Sequence, residues 1–125
     1  MILITGQVTP DREAVIPVEV RGVEGRQEDF TAVLDTGFTE YLTLSSEIIA
    51  RLGLKQVHTA QVVLGDGSEV QIPVYRAKVM WHGQWRLIYI HATEGGALVG
   101  MSLLYGSILR IRVIDGGEVT IEPLG

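Results

Sequence analysis

Hydrophobic and polar residues alternate along most of this chain with a period of two rather than 3.6, the signature of half-buried strands. The first such run covers residues 2–8. The second, AVIPVEV at 14–20, contains Pro17, which points to an edge strand because proline cannot donate to a ladder. Residues 21–26 (RGVEGR) read as a turn, 30–34 as a third strand and 41–44 (YLTL) as a fourth. Residues 45–52 (SSEIIARL) break the pattern and predict a helix. A serine caps its first free N–H groups, Glu47 suits the positive first turn, and Gly53 suits a left-handed stop.

Strands then resume at 57–64 and 69–80, joined through Gly65-Asp66-Gly67-Ser68, a hairpin signal because Asp-Gly tolerates positive φ. The run at 85–92 pairs back through His82-Gly83-Gln84. After Thr93-Glu94-Gly95-Gly96 come the apolar run 97–100 and a short helix over 101–105. A last hairpin, 108–114 with 119–121, turns at Asp115-Gly116-Gly117. Many short strands punctuated by turn residues predict an all-β barrel or sandwich with one or two helices. No repeat, linker or low-complexity tract interrupts the 125 residues, so one domain over 1–125 is expected.

Composition narrows the function. A net charge of -5 with scattered Lys and Arg argues against a nucleic-acid partner. With no cysteine, disulfides, thiol nucleophiles and Cys-based zinc sites are excluded. The N-terminus lacks the basic region and apolar length of a signal peptide, and no run approaches the ~18 apolar residues of a membrane helix. A soluble, cytoplasmic protein without membrane association is expected.

Few side chains then remain as chemical candidates. His58, His82 and His91 lack metal-pair spacing and read as strand or surface residues. Ser102 lies in Gly-Met-Ser-Leu-Leu, not in a nucleophile elbow, and neither a dinucleotide loop nor a P-loop occurs. Trp81 and Trp85 flank a turn and read as packing or surface aromatics. Asp11, Asp66 and Asp115 sit beside Gly or Pro, where turn chemistry explains them. Asp35 differs. It ends the apolar run Ala32-Val33-Leu34, precedes Thr36-Gly37 and leads into a further apolar strand. It is expected at the end of a buried strand, on the interior side of a loop, where a carboxylate needs hydrogen bonds. Gly37 lets backbone N–H groups come close, and Thr36 adds a hydroxyl.

Asp35-Thr36-Gly37 after an apolar strand resembles the active-site loop of the retropepsin-like aspartic proteases, above all the small stand-alone prokaryotic members. Gly65-Asp66-Gly67-Ser68 stands where that family has its flap hairpin, and Leu98-Val99-Gly100, followed by a short helix, is similar to its second apolar-apolar-Gly motif. The likeness runs from about residue 14 to 114. It implies a closed retropepsin-like β-barrel that forms a homodimer and hydrolyses peptide or protein substrates, with no cofactor and no metal. Catalysis in that family uses two carboxylates, and this chain has one D-T-G, so two copies would each give one Asp35. Thr36 would grip the opposite loop, and Thr39 would take the part of the residue that bonds the outer carboxylate oxygen. Phe38 replaces a small residue and is bulky enough to narrow the cleft. The alternative is a non-catalytic module that binds a peptide or partner on the same barrel.

Overall fold

The computed structural model describes residues 3–125. Ten strands form one sheet, β1 (Ile4–Val8), β2 (Ala14–Arg21), β3 (Gln27–Leu34), β4 (Leu42–Ser45), β5 (Gln56–Val63), β6 (Glu69–Trp81), β7 (Gln84–Thr93), β8 (Leu98–Val99), β9 (Ser107–Ile111) and β10 (Glu118–Pro123). Among the described residues two α-helices interrupt it, α1 (Ser46–Leu52) and α2 (Met101–Leu104), and a short 3-10 helix spans Val23–Gly25. Residue 2, expected in the first strand, lies outside the described residues. The strand expected over 108–114 ends at Ile111, where the chain coils into a turn with Gly117 packed so close that an added Cβ would lie 1.8 Å from the Arg112 carbonyl oxygen.

The sheet order is β5-β6-β7-β4-β8-β3-β2-β1-β10-β9, and β6 also pairs with β2. That extra pairing, Val20 with Val79 and Arg21 with Lys78, closes six strands into a ring. Ring residues such as Val20, Leu42, Val79, Ile90 and Val99 are completely buried, and with Leu103 and Leu52 they make up the core. A well-packed interior of this kind tolerates little change of volume. The β5–β6 hairpin projects from one side of the ring, and β1, β10 and β9 extend from the other.

Local chemistry explains the element ends. The Ser45 hydroxyl accepts from the Ile48 N–H and caps α1, and Gly53, at φ 67°, ends it. The β6–β7 hairpin has a two-residue loop in which His82 (φ 51°) and Gly83 (φ 80°) are both left-handed, the geometry that matches strand twist.

Pro17 does not mark an edge strand. β3 runs along one side of β2, while β1 and β6 share the other. The proline is accommodated because β1 pairs only with Ala14 and Val15, and β6 only with Val20 and Arg21. The Gly22 N–H donates to Arg26, so alternate bonding along the β2–β3 hairpin turns even-numbered residues toward β3. Pro17 therefore faces the gap between β1 and β6, where no strand needs its N–H.

Candidate active site

The loop 35–41 leaves β3 and enters β4, which are not neighbours in the sheet, because β8 lies between them. β8 pairs parallel with β3 through Val33–Leu98 and Leu34–Val99, and antiparallel with β4 through Leu42–Val99. The loop therefore crosses the end of β8 and rests on the chain that follows it. Four hydrogen bonds fasten it there. Gly100 N–H donates to Tyr41 O (2.9 Å), Met101 N–H to Phe38 O (2.8 Å), Ser102 N–H to Glu40 O (3.2 Å) and the Ser102 hydroxyl to Thr39 O (2.6 Å). The motifs Asp35-Thr36-Gly37 and Leu98-Val99-Gly100, more than sixty residues apart in sequence, thus form one unit. Ser102 serves as a clamp on the loop.

Asp35 is fixed from both sides. Its N–H donates to Val99 O (2.9 Å), its C=O accepts from Phe38 N–H (3.1 Å), and its Oδ1 accepts from Gly37 N–H (2.9 Å). It is half-buried, and Thr36 and Gly37 are exposed beside it. Sequence reasoning placed Asp35 on the interior side of its loop; in a single copy the loop instead presents its tip to solvent. The hydroxyls of Thr36 and Thr39 have no hydrogen-bond partner among the described residues.

Phe38 turns away from the loop tip. Its ring meets His91 edge to face, with centroids 6.1 Å apart, and one ring carbon lies 2.5 Å from where a Cβ on Gly100 would stand. Its bulk is absorbed beneath the loop. His91 lies on a strand, as its sequence reading allowed, but its burial was not anticipated. On β7, Ile88 and Ile90 point to the core, so period two sends His91 to the other face, with the exposed Leu87 and Tyr89. The Phe38 loop covers it there, and His91 is 8% exposed with Nδ1 unpaired. No sequence signal announces a cover supplied by a segment fifty residues away.

Burial holds the His91 imidazole below its ordinary pKa, with nearby His58 adding to the effect and Glu40 opposing it. The sign follows. Below about pH 6.5 the unfolded chain takes up a proton at this site that the folded chain resists, so stability falls as pH falls through that range. We expect the urea midpoint to drop between pH 7.5 and pH 5, and the drop to shrink in His91→Leu. A drop of equal size in the variant would assign the effect elsewhere.

At the β5–β6 tip, Gly65, Asp66, Gly67 and Ser68 form the expected tight turn. Leu64 N–H donates to Ser68 O and Gly67, at φ 85°, donates to Leu64 O. Asp66 Oδ1 accepts from both the hydroxyl (2.6 Å) and the N–H (2.9 Å) of Ser68, which lowers its carboxyl pKa. All four residues are exposed. Among the described residues, no group of three or more His, Cys, Asp or Glu is placed to hold a metal ion, and no helix is long and apolar enough to cross a membrane.

No protein-family model matches the chain, and no curated protein matches it. In its fold the chain is similar to the crystal structure of a retropepsin-like aspartic protease from Rickettsia conorii. The TM-score is 0.62, the match covers 94% of this chain and 89% of that one, and sequence identity is 19%.

Proposed function

We propose, from the premise that this chain has a retropepsin-like fold, that it is an aspartic-type endopeptidase whose active site is shared by two copies. The observation that carries the reading is the Asp35 loop: one half-buried carboxylate, hydrogen-bonded beside an exposed tip, on the frame made by β3, β8 and Gly100. Hydrolysis of a peptide bond by carboxylates needs a pair. The ionised partner takes a proton from water as the water attacks the carbonyl carbon, and the protonated partner donates to the carbonyl oxygen. One Asp35 cannot take both roles. A two-fold axis beside the exposed loop brings in the second, and an isologous dimer supplies that axis. The two carboxylates then titrate as one coupled pair.

The other residues take supporting roles. The unpartnered Thr36 hydroxyl bonds to the opposite loop across the axis, and Gly37 lets the two loops approach. The Thr39 hydroxyl, unpartnered in a single copy, turns to the outer oxygen of Asp35 once the two loops meet. The hairpin tip at Gly65, Asp66, Gly67 and Ser68 acts as a flap over an extended peptide or protein substrate, which pairs with it as an added strand. Leu98, Val99 and Gly100 hold the loop from below. This chemistry draws on no cofactor or metal, and its setting is the cytoplasm.

A mixing experiment tests the shared site. Asp35→Asn chains added in ninefold excess to wild-type chains capture most of them in mixed dimers, each with a single carboxylate. Random pairing leaves about one wild-type chain in ten with a wild-type partner, so peptide cleavage per wild-type chain should fall about tenfold. Unchanged cleavage after full exchange of subunits would mean that each copy works alone.

A further inference from the structure

Away from the Asp35 loop, a groove of about 300 Å³ lies between the end of β2, the α1–β5 connection and the faces of β6 and β7. Arg21, Lys55 and Arg76 line it, and no carboxylate does. That is notable in a chain with 15 acidic and 10 basic residues. Among the described residues, ion pairs are made by Arg51 and Arg110, so these three cations have none. Arg21 lies over the Trp85 ring at 4.1 Å and bonds Gln27, contacts that position its guanidinium without neutralising it.

The floor is apolar. Leu54, Val57 and Leu87 contribute to it, and Val57 is 43% and Leu87 56% exposed. Val57 sits at a register shift in the β5–β6 ladder, between Gln56 and His58. A bulge re-aims a side chain in this way. A second groove, of about 220 Å³, continues from the first, sharing Arg76 and Leu87 and adding Tyr41 and Tyr89. The two together make an elongated strip with cations beside exposed apolar side chains. Of β5, only Val57 reaches the strip.

We propose that this strip is a docking site for an extended acidic peptide segment, in which carboxylates alternate with apolar side chains. Charge complementarity selects the carboxylates, and the apolar floor takes the side chains between them. Three cations on three separate elements suit charges spread along a chain better than one compact anion. The strip touches the end of the Asp35 loop at Tyr41 but makes no use of the Asp35 carboxylate, so peptide binding there is separable from hydrolysis.

Fluorescence anisotropy with the full chain tests it. The probe is a fluorescein-labelled decapeptide of alternating Glu and Leu, compared with Lys/Leu and Ser/Leu versions and with labelled oligo-dT. The acidic peptide should bind at least about tenfold tighter than the others and should weaken as salt rises from about 50 to about 300 mM. The exposed charges are each worth a few-fold, so Arg76→Gln should weaken binding about threefold and the Arg21→Gln, Lys55→Gln, Arg76→Gln triple variant about tenfold or more. All three positions are exposed, and thermal unfolding should be unchanged. Equal affinity for the Ser/Leu peptide, equal affinity for oligo-dT, or no loss in Arg76→Gln and the triple variant would overturn the proposal.

Discussion

Asp35→Asn is expected to lower the rate of peptide cleavage by about 10³-fold or more while leaving the fold intact. The substitution is nearly isosteric. The Asn side-chain oxygen still accepts the Gly37 N–H, which bonds Oδ1 at 2.9 Å, and the backbone bonds to Val99 and Phe38 are untouched. What disappears is the ionisable carboxyl group, which can take up or give a proton where an amide cannot. In the proposed dimer both copies lose it at once, so neither the base that activates water nor the acid that protonates the carbonyl oxygen remains. General acid–base participation is worth roughly 10²–10⁴ in rate, and here both partners are lost together. Cleavage of a peptide mixture followed by mass spectrometry, alongside thermal unfolding of both proteins, gives the result. A variant that folds normally and cuts as fast as wild type removes Asp35 from the chemistry. If neither protein cuts but both bind peptides, the chain is a binding module on this fold.

The sequence carried the strands well and their closure poorly. Period-two alternation and turn residues identify β2, β3, β6 and β7 to within a few residues, and the Ser45 cap and Gly53 stop bound α1 as expected. These are local effects, set by side chains within a turn of each other. The ring is not local. It depends on Val20 meeting Val79 and on β8 slipping between β3 and β4. The reading of Pro17 failed for that reason: a proline reports that its own N–H is unneeded, not that a whole side of the strand is open. His91 shows the same limit. Its alternation points outward, and only the loop crossing overhead makes it buried. At the site, Asp35-Thr36-Gly37 was conspicuous because Asp35 stands between two apolar runs and not directly beside Gly or Pro like Asp11, Asp66 and Asp115, and because it resembles a known loop; Gly100 was conspicuous as part of a motif. Their mutual support, with Ser102 as a clamp, became visible in three dimensions.

Gly100→Ala should show how strongly that support matters. Gly100 has φ -102° and ψ 178°, an extended conformation open to any residue, so its backbone gives no reason for glycine. The reason is space. An added Cβ would stand 2.2 Å from Glu40 O, 2.5 Å from Phe38 Cδ2 and 2.7 Å from Phe38 O. Two of these atoms are main-chain carbonyls of the Asp35 loop, and those same carbonyls accept from Ser102 and Met101. The loop cannot retreat without stretching the bonds that hold it. Overpacking of this kind costs about 1–3 kcal/mol, and with backbone atoms on the other side the expected loss is near the top, about 3 kcal/mol. That is a large share of a typical domain's 5–15 kcal/mol. Gly96→Ala is the control, because nothing lies within 4 Å of a Cβ there and its φ is not left-handed. Urea unfolding should separate the two clearly, and whatever Gly100→Ala protein still folds should cleave peptides more slowly, since Asp35 is displaced with its loop. Equal midpoints for the two variants would mean that the loop does not rest on Gly100. The explanation of how the single carboxylate is held would then fail, even if Asp35→Asn had behaved as expected.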